Sequence, residues 1–395
     1  MTLPSDVLVI GASVGGLTVA EALRARGYSG RIRLIGEESH APYDRPPLSK
    51  EILAGTWRPA RAFLRDREQL DKLDTDFVLG RRAVRLDAGQ QNVELDDGSA
   101  VSYSALVVAT GLISRRLPFG HDLTGVHSLR TMDDALALRA GLQTARRVAV
   151  IGAGVLGCEI AATARTLGLQ VTLIDAAPGV MVGQLGDELS AIMAKLHESH
   201  GVDVRIGVGV AAMTGVDGHV DGVDLIDGTR VAADLVVVAT GSVPATEWLA
   251  GSGLSLGDGV ECDSHCRAAP GIHAVGDVAR WHHEVLGESI RLENRSNATQ
   301  QANAVAADIL GTGAAYTPIP YFWTDQYDVK LQIHGIIPPG AQLRTIGGEL
   351  GTGRFTALAV LDGVPTAAIG WNHPRGVLAA RRHLGAPQRP SPTRT

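Results

Sequence analysis

Cysteine is scarce, with three residues in 395: Cys158, Cys262 and Cys266. That is too few for a disulfide framework and points to a reducing compartment. Three residues separate Cys262 from Cys266, so they are not a C-x-x-C redox pair. Only His265 stands nearby as a further ligand, so no metal is expected. Aromatic residues are also few, at 4%. No apolar run reaches the length of a membrane span. The opening Met1-Thr2-Leu3-Pro4-Ser5-Asp6 has no basic segment ahead of an apolar one, so it does not read as a secretory leader, and a cytoplasmic location is expected. Positive charge is not in excess. The net charge of −6 gives no reason to propose nucleic acid as a partner. Glycine, by contrast, is abundant, at 48 residues, alongside 45% hydrophobic and 20% charged residues. That balance fits α/β domains with glycines in tight strand-to-helix turns. The length suggests two or three domains.

The first of those turns comes almost at once. Residues 6–10, Asp-Val-Leu-Val-Ile, read as a buried strand. Gly11-Ala12-Ser13-Val14-Gly15-Gly16 follows, then a helical pattern from Leu17 to Arg26 and a second strand at 31–35. Glu37 lies 26 residues after Gly11. Strand, glycine-rich turn, helix, strand and acid together form a dinucleotide fingerprint in its required context. The glycines allow close backbone approach, and the helix N-terminus meets a pyrophosphate with free N–H groups. Glu37 would accept hydrogen bonds from a ribose. Ser13 stands where the pattern has its second glycine.

The unit recurs. Val148–Ile151 is a strand, Gly152-Ala153-Gly154-Val155-Leu156-Gly157 a complete G-x-G-x-x-G, and Cys158 to Leu167 a helix. A further strand ends at Asp175, 23 residues after Gly152. Asp175 suits a free ribose 2′-hydroxyl and repels a 2′-phosphate. Ala176-Ala177-Pro178 supplies no cation, which favours NADH over NADPH. The run Leu106 to Gly111, ending Ala109-Thr110-Gly111, is echoed by Leu235 to Gly241. Two fingerprints and two such turns imply two bound dinucleotides. A duplicated fold with one silent site is the alternative.

Three other stretches stand out. In Tyr43-Asp44-Arg45-Pro46-Pro47-Leu48-Ser49-Lys50, adjacent prolines predict a rigid extended turn. Arg45 at its start is placed to meet a pyrophosphate, and Lys50 at its end sits where a helix could begin. Gly271 to Asp277 reads as a short strand delivering Gly276 and Asp277 at its C-terminal end, where such sheets bind ligands. The tail opens with four aromatics in seven residues, 321–327. Alternating segments follow, Val329 to Ile333, Ala341 to Ile346, Phe355 to Leu361 and Thr366 to Trp371, as in an antiparallel sheet. A short helix is expected from Gly376 to Leu384.

Y-D-R-P-P-L-S-K-E at 43–51, the two A-T-G turns, A-V-G-D at 274–277 and F-W-T-D-Q-Y at 322–327 resemble the FAD-dependent ferredoxin reductases of bacterial cytochrome P450 and Rieske dioxygenase systems. The likeness runs over essentially the whole chain. It implies an α/β fold of two Rossmann-like dinucleotide-binding domains, glutathione reductase-like, plus a C-terminal α+β domain. By this resemblance an FAD domain is split into 1–111 and 243–318, an NADH domain occupies 112–242, and an interface-like domain occupies 319–395. It also implies FAD contacts at Gly11, Ser13, Gly15, Gly16, Glu37, Arg45 and Lys50. Further contacts fall on Ala83 or Val84, the Ala109-Thr110-Gly111 turn, Arg130, Gly276, Asp277 and Arg295, with Trp323 near the flavin. NADH contacts fall on Gly152, Gly154, Val155, Leu156, Gly157, Glu159, Asp175 and Gly241. Val155 replaces an aromatic common among relatives, and Cys158 a common leucine.

The resemblance further implies that Lys50 lies near flavin N5 and pairs with Glu159. A cation there offsets the negative charge that arrives with hydride. The implied partner is a small iron–sulfur ferredoxin, supplying a cytochrome P450 or a Rieske oxygenase; the oligomeric state is open, with a monomer as the default expectation. Arg65, Arg67, Lys72 and Arg295 are candidates for a basic rim. A disulfide reductase would need a redox cysteine beside the flavin, and none lies near 40–50. A reductase for another acceptor, such as rubredoxin or a radical, and an NADH-sensing flavoprotein like apoptosis-inducing factor remain as alternatives.

Overall fold

The computed structural model describes residues 3–385. Residues 1–2 and 386–395, the outer ends of the expected first and last domains, lie outside the described residues. Three groups of sheets follow the chain. A six-stranded sheet has the order Arg267–Ala269, Ile272–Ala274, Ala105–Val108, Asp6–Ile10, Arg31–Gly36, Asp76–Leu79. All its pairings are parallel except that of the first two strands. Its strands come from both ends of one long interruption. Within that interruption a second parallel sheet runs Asp203–Ile206, Gln170–Asp175, Arg147–Ile151, Leu235–Val238, Val126–His127. The third group is a five-stranded antiparallel sheet at 321–371.

The central strands are buried on both faces, which is why Val7-Leu8-Val9 and Val148-Ala149-Val150 read as unbroken apolar runs. The two fingerprint helices span Val14–Ala25 and Val155–Thr166, each starting three residues before the expected Leu17 and Cys158. Glycine is a poor helix former, so the sequence pattern hides a first turn made of Gly15-Gly16 or Leu156-Gly157. Gly16 and Gly157 are needed for contact rather than flexibility. A Cβ on either would overlap the carbonyl of Gly11 or Gly152.

The structure corrects one further expectation and adds detail at two other stretches. The proline pair does not hold an extended turn: Pro46–Ser49 is a 3₁₀ turn followed by a helix at Glu51–Ala54. The fixed proline φ fits the first turn of a helix as well as an extended chain. The aromatic stretch Tyr321–Gln326 is itself a strand, paired antiparallel with Val329–Gly335. The final helix starts at Pro374, and Arg381–His383 continue it as a 3₁₀ turn.

The helix Arg295–Ile309 is clamped to the edge of the first sheet by Asp308, which is 4% exposed. Its carboxylate meets Arg267 at 2.6 and 2.5 Å, His273 Nε2 at 2.8 Å and His265 Nδ1 at 3.2 Å. Burial alone would raise the carboxyl pKa, yet His273 and Arg267 hold it well below the usual carboxylate range. A depressed folded pKa means stability present above the unfolded pKa and lost as pH falls below it. Asp308→Ala should therefore cost about 3 kcal/mol at neutral pH. Thermal melts should show the gap from the parent closing below about pH 4. A gap that is constant with pH would rule out the ionised carboxylate as its source.

Candidate functional site

The C-terminal edges of the two parallel sheets and the antiparallel sheet enclose one cleft of about 1090 Å³. Of the expected flavin residues, Ser13, Gly15, Arg45, Lys50, Ala109, Thr110, Gly111, Arg130, Gly276, Asp277, Arg295 and Trp323 line it. Of the expected nicotinamide residues, Gly152, Gly154, Val155, Leu156, Glu159, Asp175 and Gly241 line it. Gly11, Gly16 and Gly157 sit behind the lining and support the turns. Glu37 is off the cleft, with an exposed carboxylate 3.9 Å from Arg82 Nε. Ala83 is packed in an apolar cluster with Leu8 and Ile10, and Val84 is exposed; neither lines the cleft.

The turns explain their glycines unequally. Gly11 and Gly152 have φ of 119° and 109°, and a Cβ on them would overlap the carbonyls of Ala109 and Ala239. Only glycine fits there. Ser13 and Gly154 are the N-caps, with φ of −97° and −73° in extended backbone. Nothing lies within 4 Å of a Cβ at Gly154, so a serine at position 13 costs no strain. Neither helix has a side-chain cap bond or an acid in its first turn. Their leading N–H groups are left for an anion.

Cations gather opposite the first helix. Arg45 bonds to Glu38 at 2.8 Å and to the Arg130 carbonyl at 2.6 Å. Tyr43 donates to Glu38 at 2.5 Å and accepts from the Met132 amide at 2.9 Å. Burial, with Arg45 close by, lowers the pKa of Arg130. Arg130 Nε is buried and without a partner. Asp277 lies 3.5 Å from Arg130, and burial raises its pKa despite that cation. Two adjacent guanidiniums with an orphan donor, facing an uncapped helix N-terminus, fit the diphosphate of a dinucleotide. The residues present therefore suit FAD.

The second turn is tied differently. The Asp175 carboxylate accepts from the Ala153 amide at 2.5 Å and from the Ala177 amide at 2.8 Å. Between the two turns lies an ion pair. Lys50 Nζ is 2.7 Å from Glu159 Oε2, with side chains 16% and 8% exposed. Ser49 donates to the same oxygen at 2.5 Å, and Thr324 to Oε1 at 2.8 Å. Sequence reasoning missed Glu38, Tyr43, Ser49 and Thr324. A period-two reading of 321–326 would have put Phe322, Thr324 and Gln326 on one face.

Of the candidate rim cations, Arg295 lines the cleft and pairs with Asp44 at 3.1 Å, while Arg65 pairs with Glu21 at 2.6 Å. Arg67 and Lys72 pair within their own helical turn, with Asp71 and Glu68. Among the described residues no three metal-type ligands cluster, and no helix is long and apolar enough to cross a membrane.

Comparison with known proteins agrees with this architecture. Residues 5–302 match the pyridine nucleotide-disulphide oxidoreductase family and residues 321–395 the reductase C-terminal domain. Rhodocoxin reductase of Rhodococcus erythropolis is 36% identical over 96% of this chain and 89% of its own. The ferredoxin–NAD(+) reductase subunit of the Pseudomonas putida benzene 1,2-dioxygenase system is 38% identical, over 97% and 93%. The crystal structure of the ferredoxin reductase for the CYP199A2 system of Rhodopseudomonas palustris superposes with a TM-score of 0.90 at 36% identity, covering 93% of this chain and 91% of its own. The chain belongs to the pyridine nucleotide-disulphide oxidoreductase family, in its ferredoxin reductase branch.

Proposed function

We propose that this chain is an FAD-dependent ferredoxin reductase. It takes hydride from NADH and passes single electrons to a small iron–sulfur ferredoxin, which supplies a cytochrome P450 or a Rieske oxygenase. One observation carries the reading: both nucleotide turns open on one cleft, and Lys50 from the first half meets Glu159 from the second inside it. FAD, when bound, supplies the chemistry of accepting a two-electron hydride and releasing electrons one at a time.

This chain's residues have separable tasks in that reading. Arg45, Arg130 and the first helix N-terminus hold the FAD diphosphate, with Gly276, Asp277 and Arg295 on the same wall. Gly11 and Gly16 set the turn. The second turn, with Val155, Leu156 and Gly241 beside it, holds NADH. Asp175, whose carboxylate is held by the Ala153 and Ala177 amides, disfavours the 2′-phosphate of NADPH by charge. Lys50 presents its side chain to the reacting ring, and Glu159 holds it in place at 2.7 Å. Trp323 covers the ring. We assign residues 1–111 and 243–318 to the FAD domain, 112–242 to the NADH domain and 319–395 to the interface-like domain. The three free cysteines suit the cytoplasm, and we read the chain as a monomer.

The test is anaerobic rapid mixing of the purified flavoprotein with NADH or NADPH, then with a [2Fe–2S] ferredoxin and cytochrome c. The expected result is fast bleaching by NADH, slower bleaching by NADPH, and ferredoxin-dependent reduction of cytochrome c. Bleaching that stalls in a long-lived charge-transfer complex, with nothing passed to any ferredoxin, would instead mean an NADH-sensing flavoprotein.

A further inference from the structure

Behind Glu159 lies a chain of polar groups that the ion pair alone does not require. Thr324 Oγ1, which donates to Glu159 Oε1, itself receives a bond from Gln326 Nε2 at 3.1 Å. Gln326 Oε1 stands 2.8 Å from His197 Nε2, and Tyr327 Oη stands 3.1 Å from His197 Nδ1. Thr324, Gln326 and His197 are 1%, 2% and 0% exposed. Buried groups of this kind must find partners, and here the partners fix the direction of every bond. An amide oxygen can only accept, so His197 carries its proton on Nε2 and donates. Nδ1 is then left to accept from Tyr327. Burial lowers the His197 pKa to about 4, so the ring is neutral at neutral pH.

The direction matters at Thr324. A hydroxyl has one proton. While Gln326 presents its NH₂ to Thr324, that proton must point at Glu159. If the Gln326 amide turned over, its oxygen would draw the Thr324 proton away, and Oε1 of a buried carboxylate would lose its only donor. The acceptor-only carboxylate sets this order outward through Thr324 and Gln326, and His197 completes it by donating to the amide oxygen from the far side.

We propose that His197 is a positioning residue for Glu159, acting through the amide of Gln326 and the hydroxyl of Thr324. The relay joins three parts of the chain. His197 lies on the helix Val182–Ser199, Gln326 and Thr324 on the strand Tyr321–Gln326, and Glu159 on Val155–Thr166 beside Lys50. Its role rests on the reading that the Lys50–Glu159 pair serves hydride transfer. The relay keeps both carboxylate oxygens engaged, so the carboxylate cannot rotate and loosen its hold on Lys50.

The test uses flavin-loaded protein. Thr324→Val should slow flavin reduction by NADH about tenfold, with the NADH Kd within about twofold of the parent. Thr324→Ser, which keeps the hydroxyl, should restore the rate. His197→Phe should slow reduction in the parent but add nothing in the Thr324→Val background, because both act through one bond. ¹⁵N NMR of ring-labelled histidine in the holoprotein should show His197 as the neutral Nε2–H tautomer. A serine variant as slow as the valine variant, additive losses, or an Nδ1–H tautomer would each overturn the proposal. Glu159→Gln separates the levels. If it leaves reduction unchanged, the reading beneath fails and the inference goes with it. If it slows reduction while Thr324→Val does not, the inference fails alone.

Discussion

Lys50→Ala should slow hydride transfer from NADH to the flavin about a hundredfold while leaving NADH affinity within about threefold. Removing one preorganised donor at a site of developing negative charge typically costs about 3–4 kcal/mol in the barrier, a factor of 10² to 10³. In the proposed reading Lys50 is such a donor; its side chain is 16% exposed and held by a carboxylate at 2.7 Å. The substitution does not strand Glu159, because Ser49 and Thr324 still donate to its two oxygens. The fold should therefore survive. The split between rate and affinity decides the role. If the pair merely tied the two halves of the chain together, its loss would loosen the cleft and weaken NADH binding without a specific effect on the chemical step. Stopped-flow reduction across NADH concentrations reads both quantities. An unchanged limiting rate would end the case for Lys50 at the reacting ring.

The parallel sheets were legible because buried strands leave continuous apolar runs and because each ends in a turn with an identifiable physical need. Gly11 and Gly152 carry positive φ against a carbonyl, so the sequence must write glycine there. The helix starts were less legible, since the same glycines that mark the turn also form the first helical turn. The stretch at 321–326 reads as an aromatic cluster by composition, but as a strand it places Thr324 and Gln326 on the face that meets Glu159 and His197. Contacts between residues 129 and 165 positions apart leave no trace in spacing. For the same reason the Lys50–Glu159 pairing came from family likeness and not from pattern, whereas Arg45 could be singled out beside its prolines. Glu38 went unseen because Glu37 sits at the position that the fingerprint assigns to the acid. In the fold it is Glu38 that turns inward to Arg45 and Tyr43.

Gly152→Ala should raise the NADH Kd at least about a hundredfold while the protein keeps its flavin. Two costs combine. An alanine at φ of 109° is strained by about 1–3 kcal/mol. Its Cβ would also overlap the Ala239 carbonyl, so strand or turn must shift. That shift displaces the N–H groups at the start of Val155–Thr166 that would receive the NADH diphosphate. About 2.7 kcal/mol of lost binding already gives a factor of a hundred. The duplication supplies the counterpart. Gly11 has φ of 119° and faces the Ala109 carbonyl in the same way, so Gly11→Ala should yield protein depleted in flavin. Gly154→Ala separates binding from folding. Its backbone is extended and nothing lies within 4 Å of the added carbon, so the apparent melting temperature should not move. Any loss of NADH affinity in that variant would then report the approach of the cofactor itself, and it should stay within about tenfold, since Ser13 already places a side chain at the matching position of the first turn. Should Gly152→Ala and Gly154→Ala both bind NADH like the parent, the second turn is not where the nicotinamide dinucleotide is held, and the hydride donor must enter the cleft from elsewhere.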